Sequence, residues 1–524
     1  MNVGEPRGER EVTRFGRRGF LVGAAAVATT VAAGCAGSDE RTEGPMIDLP
    51  DVDREAFALG VASGDPTTDA VILWTRLAPD PLADDGSGGM GPDDVEVSWE
   101  VAADDGFSEI VASGTVTASA DHAHAVHVDA TGLAAGTPYW YRFQAGEVLS
   151  PVGRTATLPD GSPDRFGVAI VNCQMYESGA YAAYRHLAEE EGVDLVAHLG
   201  DYIYEYPGGT GDGRHSAPDR MVETLADYRL RYASYKADPD LQAAHARFPF
   251  VATWDDHEVM NNYLGDTAPD DATAEAVRAR RTAAYQAWWE HLPVRLDPPV
   301  DGELRVYQAL DVGDLARLHL LDERQHGDEP PCRNDESTGL DEGDCAEVDD
   351  ERTRLGDAQE AWLAESLAGS PARWNLLGNP VVLAGVDAGT DEPSYYLDTW
   401  DGYPRARARL IDLLAGAANP VVLTGDYHAG MVLDVLETPF DPSTPVVAPE
   451  FMAPPISSAL FPADVSARTP QLRQQLNAHG YLTVQVAPEQ VTVAFRTLGD
   501  VTDPDTDVTT AATWVVDAGD PVAR

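Results

Sequence analysis

The sequence predicts a layered α/β (α+β) domain that is preceded by a small all-β domain. One observation is that residues 55–158 contain short β-rich runs, which Gly, Pro, Asp and Ser separate at regular spacing. Another is that short apolar runs alternate with helical stretches from residue 159 onward. Five of these later apolar runs also end in residues that can bind a metal. Because ligands bind beyond the carboxyl ends of strands in open α/β sheets, these ends predict one polynuclear metal site at a sheet edge.

The β-rich runs of the first domain are typical of an antiparallel sandwich of fibronectin or immunoglobulin type. They cover residues 70–75, 95–101, 110–116, 124–128 and 139–145. In the second domain, helices are predicted at residues 180–191, 221–235, 239–247, 272–291, 358–367 and 405–414. A hairpin pattern at residues 481–495 predicts an antiparallel strand pair near the end. We therefore expect an N-terminal β-sandwich domain at 55–158 and a second domain at 159–515.

The first residues have the features of a targeting segment. Arg17 and Arg18 precede an apolar stretch at 21–33 that is too short to span a membrane. This order is typical of a twin-arginine export signal, and the residues before Cys35 resemble a lipoprotein processing site. We expect residues 1–35 to be the signal, Cys35 to carry a lipid anchor and residues 36–54 to form a tether. Cleavage near Ala36 without lipidation is the alternative. Either outcome places the protein at the cell surface or outside the cell.

The composition is strongly acidic. The chain has 88 acidic and 36 basic residues, which give a formal net charge of -52, and Lys236 is its single lysine. Such a surface excludes non-specific binding to nucleic acid and docking on anionic lipid through a basic patch. Adaptation to high salt and compositional bias of the genome both explain the acidity.

The four cysteines have different predicted roles. Cys35 belongs to the targeting segment. Cys332 and Cys345 lie in a loop rich in Pro, Asp, Glu and Gly, and they suit a disulfide in an oxidising compartment. Closing so short a loop contributes about 3 kcal/mol in the chain-entropy view. Cys173 follows an apolar run, where it is either a metal ligand or a small buried hydrophobic residue.

The polar residues after the apolar runs offer hard and anionic metal ligands. Asp201 can bridge two cations, and a phenolate at Tyr204, together with a thiolate, suits a trivalent ion better than zinc. Asp256 can bind a divalent cation. The imidazole of His257 can exchange a proton with a substrate, and we expect its acidic sequence neighbours to raise its pKa.

Two further runs complete the set. Asp426 and His428 are two residues apart, so their side chains point to the same side if the chain is extended there. Asn379 offers an amide oxygen that suits calcium or magnesium, although a turn residue before Pro380 is the alternative interpretation.

Taken together, these motifs resemble the alkaline phosphatase D family, which belongs to the calcineurin-like metallophosphoesterases. The resemblance covers nearly the whole chain after the signal. The segments that carry it are 57–66, 73–76, 172–174, 200–205, 254–259, 261–262, 400–403 and 425–428. It implies a metallophosphoesterase sandwich after the small β domain.

The resemblance also implies a cofactor and residue roles. The family has one Fe(III) and one or two Ca(II) ions. By motif position, the residues that resemble iron ligands are Cys173, Asp201, Tyr204 and His428. Those that resemble the calcium side are Asp201, Asp256, Asn379 and Asp426. His257 resembles the histidine that contacts the phosphoryl group and the leaving oxygen. Two departures from the family pattern are Pro380, where Gln usually follows Asn, and Glu323, where Thr usually precedes Arg324.

The function implied is hydrolysis of phosphate mono- and/or diesters through attack by a metal-held hydroxide, by a protein that we expect to be monomeric. The first alternative is a phospholipase D-like phosphodiesterase that acts on phospholipids. The second is a non-catalytic, calcium-binding surface lipoprotein, which would need neither Cys173 nor Tyr204.

Overall fold

The computed structural model describes residues 56–209, 213–268, 272–331, 340–341, 351–389 and 393–524. The predicted export signal, the anchor at Cys35, the tether and the cysteine pair Cys332 and Cys345 lie outside the described residues. No helix among the described residues combines the length and the apolar content that crossing a membrane requires.

The described strands and helices follow in chain order. The strands are β1 Val61–Gly64, β2 Ala70–Arg76, β3 Val95–Ala102, β4 Ile110–Ala118, β5 Ala125–Thr131, β6 Pro138–Ala145, β7 Val148–Leu149, β8 Gly153–Ala156, β9 Phe166–Val171, β10 Leu195–Leu199, β11 Pro249–Thr253, β12 Gln308–Val312, β13 Ala316–Leu320, β14 Leu340–Asp341, β15 Trp374–Asn379, β16 Tyr395–Tyr396, β17 Pro420–Thr424, β18 Gly430–Leu436, β19 Val446–Met452, β20 Leu472–Leu476, β21 Gly480–Val486, β22 Gln490–Leu498 and β23 Val508–Asp517. The helices are α1 Ala182–Glu189, α2 Leu225–Lys236, α3 Pro239–Arg247, α4 Ala274–His291, α5 Gly356–Ala368 and α6 Pro404–Ala415.

Two large mixed sheets form the centre of the fold. The nine-stranded sheet has the order β23-β22-β21-β9-β10-β11-β1-β2-β5, in which β9, β10, β11 and β1 run parallel. The seven-stranded sheet has the order β12-β13-β15-β17-β19-β18-β20, in which β13, β15, β17 and β19 run parallel. The parallel strands are buried on both faces, which explains why they are continuous apolar runs in the sequence.

The two sheets pack face to face over a shared apolar core. Its members include Ile170 and Leu199 from the first sheet and Leu376 and Leu423 from the second. Residues of α1 to α4 form a second core against the nine-stranded sheet, and residues of α5 and α6 form a third against the seven-stranded sheet. The layered α/β prediction is therefore confirmed, with helices outside and two sheets inside.

The N-terminal strands do not form a sandwich that is separate from this core. Strands β3, β4, β6, β7 and β8 make a five-stranded sheet, but β1, β2 and β5 continue the nine-stranded sheet. Gly64 lies so close to the backbone of β11 that a Cβ atom would meet the Phe250 carbonyl oxygen at 2.6 Å. An independent immunoglobulin-type domain is thus not confirmed, because one of its two layers belongs to the central fold.

Candidate metal centre

Five of the predicted site residues line one cavity of about 360 Å³, namely Asp201, Asp256, His257, Asp426 and His428. It lies where β10, β11 and β17 end, so both sheets contribute side chains to it. The residues that line the cavity are Asp201, Asp256, His257, Asn261, Asn262, Tyr396, Asp398, Asp426, Tyr427, His428, Ala459, Leu460, Phe461 and Pro462. The structure thus places most of the predicted site residues at one cavity.

At this cavity, the candidate ligand atoms form two overlapping groups. The ligand atoms of Cys173, Asp201 and His428 all lie within 4.8 Å of one another. The same distance limit holds for Asp201, Asp256 and His257. Asp201 belongs to both groups, which is the position that a bridging carboxylate requires.

The backbone that carries these ligands is left-handed at four positions. The φ angles are 53° at Cys173, 58° at Asp201, 65° at Asp426 and 51° at His428. Each such non-glycine residue costs about 1 kcal/mol or more and persists where surrounding structure holds it. The expectation that Asp426 and His428 lie in an extended chain is therefore wrong. They both face the cavity because a tight turn follows β17.

The hydroxyl group of Tyr204 lies among the candidate ligands. It donates a hydrogen bond to Asp201 Oδ2 at 2.9 Å and lies 3.2 Å from His428 Nε2. Ser458 Oγ lies 2.8 Å from the same hydroxyl and 2.8 Å from the carbonyl oxygen of Cys173. The sequence did not indicate Ser458, because a serine in an irregular segment carries no recognisable pattern.

His428 is oriented by a backbone contact. Its Nδ1 lies 2.8 Å from the carbonyl oxygen of Ala459, an acceptor, so Nδ1 carries the proton. Burial lowers the pKa of His428 to about 4. The ring is therefore neutral at physiological pH, and its unprotonated Nε2, which lies beside the Tyr204 hydroxyl, has the lone pair that a metal ligand needs.

His257 pairs with a carboxylate that the sequence analysis did not assign. Its Nδ1 lies 2.8 Å from Glu205 Oε2, while Glu205 Oε1 accepts a hydrogen bond from the backbone N–H of Asn261 at 2.7 Å. Burial opposes the charged ring, but the carboxylates of Asp256, Glu205 and Asp201 outweigh it and raise the pKa of His257 well above its usual value. The expected raised pKa is present, and Glu205 contributes to it from a separate loop.

Glu258, the acidic residue that follows His257, has a structural role. Its carboxylate accepts hydrogen bonds from the backbone N–H groups of Asp255 at 3.0 Å, Asp201 at 3.1 Å and Tyr202 at 2.8 Å. It thereby ties the loop after β10 to the loop after β11. Gly200 permits the close approach of these loops, since a Cβ atom there would lie 2.6 Å from the Asp255 Cβ.

The positively charged groups described around the cavity do not neutralise all of its carboxylates. Burial and neighbouring carboxylates raise the pKa of Asp201 and of Asp426 well above the usual value. Burial also raises the pKa of the Cys173 thiol, as do the charges of Asp201 and Asp426. Asp201 Oδ1 is buried without a hydrogen-bond partner. Buried anionic groups in such an arrangement require cations, so this donor set fits a metal centre.

Arg324 supplies positive charge behind the cavity. It is fully buried and its Nε donates to Asp255 Oδ1 at 2.5 Å, while its Nη2 lies 3.8 Å from Asp256 Oδ1. Burial disfavours the charge on Asp256, but His257 and Arg324 outweigh it and hold the pKa of Asp256 at about 2. Arg324 thus holds the carboxylates of Asp255 and Asp256 in position behind the cavity.

Asn379 reaches the same edge through β15, which pairs with β17. It is fully buried, its Nδ2 donates to the carbonyl oxygen of Val381, and its Oδ1 lacks a hydrogen-bond partner. It is absent from the residues that line the cavity. The structure therefore brings Asn379 to the sheet edge with a spare oxygen but records no contact with the other candidate ligands.

A buried cluster of carboxylates, thiol, phenol and imidazole at the carboxyl edge of parallel strands is typical of hydrolytic metalloenzymes. Comparison with known proteins narrows this class. Residues 166–495 match the family described as PhoD-like phosphatase, and residues 45–159 match PhoD-like phosphatase, N-terminal domain. The chain therefore belongs to the PhoD-like phosphatases, which are hydrolases of phosphoric esters, and the resemblance that its motifs indicate is confirmed.

Individual relatives agree with this assignment. The chain is 42% identical over 487 residues to alkaline phosphatase D of Bacillus subtilis (strain 168), covering 89% of this chain and 82% of the relative. A solved structure titled "Structure of PhoD" superimposes with a TM-score of 0.85 at 39% identity, covering 91% of this chain and 93% of that chain. A structure of GAP50 from Plasmodium has a TM-score of 0.34 at 11% identity, a value too low to support a conclusion.

Proposed function

We propose that this phosphoesterase is an alkaline phosphatase that hydrolyses phosphate mono- and/or diesters with a polynuclear metal centre. The observation that carries the proposal is the position of Asp201, whose carboxylate belongs to both candidate ligand groups and has a buried oxygen without a partner. The name of the Bacillus subtilis relative supports the alkaline activity.

The residues that would hold the metals are those that the motifs indicate. On the iron side they are Cys173, Asp201, Tyr204 and His428. On the calcium side they are Asp201, Asp256, Asn379 and Asp426. The thiol, phenol and imidazole favour Fe(III), whereas the carboxylates and the amide oxygen suit Ca(II). When bound, such cations neutralise charge on phosphoryl oxygens and lower the pKa of a bound water.

The protein's own groups prepare the proton transfer. Glu205 accepts the Nδ1 proton of His257 and leaves Nε2 as the second donor of the ring, which is the atom we assign to the leaving oxygen. The neighbouring carboxylates raise the pKa of His257 well above its usual value and so favour the protonated ring. His257 is thus a general acid, and Glu205 holds its orientation.

Metal analysis, visible absorbance and activity together test the proposal. We expect iron and calcium in the purified protein, a visible charge-transfer band from the Tyr204 phenolate, and a loss of hydrolysis of both ester classes in Asp201→Asn. Matched monoester, diester and phospholipid substrates would separate a phosphatase from a phospholipase D-like phosphodiesterase. A folded, colourless and iron-free protein that retains activity would contradict the iron assignment.

The N-terminal segment leads to a proposal about location. We propose that the chain is exported by the twin-arginine route and anchored through a lipid on Cys35. We also propose that Cys332 and Cys345 form a disulfide after export. The order of Arg17, Arg18, an apolar stretch and Cys35 supports it. Replacement of Arg17 and Arg18 by Lys should retain the protein inside the cell. Mass spectrometry of the mature protein should find the lipid and the disulfide, and an unmodified Cys35 would contradict the anchor.

A further inference from the structure

One part of the cavity wall is aromatic and has no role in holding a metal. Tyr396, Tyr427 and Phe461 line the cavity together with Leu460 and Pro462. The ring centroids of Tyr396 and Tyr427 are 5.3 Å apart in an edge-to-face arrangement, and those of Tyr427 and Phe461 are 4.8 Å apart. We name these five residues the aromatic wall.

The aromatic wall is attached to the candidate metal ligands. Tyr427 lies between Asp426 and His428 in the chain, and the backbone N–H of Phe461 donates to the carbonyl oxygen of His428 at 3.1 Å. His428 Nδ1 in turn donates to the carbonyl oxygen of Ala459 at 2.8 Å. These bonds hold the wall at a defined position beside the site that would bind a phosphoryl group.

The accessible face of the wall indicates a ligand. Tyr396 is half-buried and lies at the cavity, so its ring presents an accessible surface to a bound molecule. Tyr427 is only 6% exposed and packs between Tyr396 and Phe461, so it supports the two rings from behind. The wall therefore offers aromatic surface beside the site that would bind a phosphoryl group.

From this geometry, and resting on the proposed function, we infer that the aromatic wall is a subsite for the organic group of the ester and selects a flat, uncharged, unsaturated ring. Aromatic rings attract one another edge-to-face beyond the area that they bury, which corresponds to about two- to tenfold in affinity for each pair. The carboxylates around the cavity disfavour a second anionic group on the substrate.

Competitive inhibition by three phosphonates tests the inference. Methyl-, cyclohexyl- and phenylphosphonate carry the same head group and are not hydrolysed, so their inhibition constants report binding alone. We expect phenylphosphonate to bind about fivefold more tightly than methylphosphonate and at least about threefold more tightly than cyclohexylphosphonate.

Variants of the aromatic wall test whether its residues cause the preference for the phenyl group over the methyl group. Tyr396→Ala and Phe461→Leu should reduce the ratio of phenyl to methyl affinity to within about twofold of unity, whereas Tyr396→Phe, which keeps the ring, should preserve it. Tyr395→Ala is the matched control. Tyr395 is the neighbouring residue of the same strand, packs against Phe440 and does not line the cavity. If Phe461→Leu does not fold, the Tyr396 pair is sufficient.

Each outcome decides the inference. A ratio that Tyr396→Ala leaves unchanged, an equal loss for all three probes, or cyclohexylphosphonate binding as tightly as phenylphosphonate would overturn it. In those cases the wild-type enzyme would still hydrolyse phosphate esters, so the proposed function would stand. If no probe inhibits and no ester is hydrolysed, the proposed function fails and the subsite fails with it.

Discussion

Among the described residues, an acidic and a basic cluster of buried titratable groups are stabilised in different ways. The acidic cluster at the cavity consists of Asp201, Asp255, Asp256 and Asp426. The basic cluster lies between the N-terminal strands and the helices, and consists of Arg76, Lys236, His245 and His291. Members of both clusters are buried.

Burial favours the neutral forms of three bases in the basic cluster. Burial lowers the pKa of Lys236 to about 7, and burial together with neighbouring bases lowers the pKa of His245 and His291 well below the usual value. The groups also have partners. Lys236 Nζ lies 4.2 Å from the centroid of Trp74, and Arg76 Nη1 lies 2.8 Å from His291 Nε2.

The acidic cluster does not reach such a balance. Asp201 and Asp426 have raised pKa values, and the positive partners of Asp255 and Asp256 are His257, Arg324 and Arg354. The comparison teaches that a strongly shifted pKa does not by itself identify a metal site. Shared ligand geometry and unpartnered oxygen atoms distinguish the acidic cluster from the basic one.

The largest expected effect comes from removing the shared carboxylate. Asp201→Asn should lower kcat/KM by at least about a thousandfold, or about 4 kcal/mol, because one residue belongs to both ligand groups. Metal content and kinetics measured on the same preparation check this. Glu96→Gln, which alters an exposed carboxylate on β3, should match the wild type. If Asp201→Asn retains a tenth of the wild-type activity, Asp201 is not a shared ligand, and the acidic cluster does not differ from the basic one in that respect.

The next prediction concerns Lys236 of the basic cluster, which should affect stability and leave activity nearly unchanged. The folded pKa of Lys236, about 7, lies below its ordinary value of 10.5, so the folded state binds fewer protons between these pH values. Stability should therefore rise by on the order of 3 kcal/mol from about pH 7 to about pH 9.5, and be lost as the pH falls through that range.

Lys236→Met should remove this dependence and stabilise the protein at neutral pH, with little change in kcat. Thermal unfolding at pH 7 and pH 9.5 measures it. A wild-type midpoint that does not rise more than that of the variant would show that Lys236 retains its charge in the folded protein.

Glu205→Gln tests the role of His257, which is a positive partner of the acidic cluster. The change removes a negative charge 2.8 Å from His257 Nδ1 and so lowers the pKa of His257. Because the protonated ring is the proposed acid, activity should begin to fall at lower pH than in the wild type. We expect a loss of about tenfold at alkaline pH. Full pH profiles check this, and superimposable alkaline limbs would exclude the orienting role of Glu205.

The smallest expected effect is that of the net charge of the protein on kcat/KM. With a net charge of -52, the surface repels anionic esters, and salt screens that repulsion. We expect kcat/KM to rise by about two- to threefold between low and moderate NaCl concentration. A value that is flat or falls while the thermal midpoint stays constant would show that the cavity field, rather than the surface, controls approach of the substrate.

Much of the fold follows from local patterns. The helix predicted at 239–247 is present as α3, since Asp238 caps it and Pro239 occupies its first turn. The runs at 166–171 and 420–424 are strands with those limits. Strand β1 was not predicted, because it is a short segment that pairs with β2 on one side and with β11, far along the chain, on the other. The sharing of β1, β2 and β5 with the central sheet was missed for the same reason.

Local sequence patterns alone indicate which residue types end the buried strands, and hence the candidate metal ligands and the family. Only the tertiary structure decided that Glu205 orients His257, that Ser458 contacts Tyr204 and that Glu258 joins two loops. The physical reason is that strand and helix periodicities are local properties of the chain. Hydrogen bonds such as that between Glu205 and His257 join residues 52 positions apart, and no local pattern encodes them.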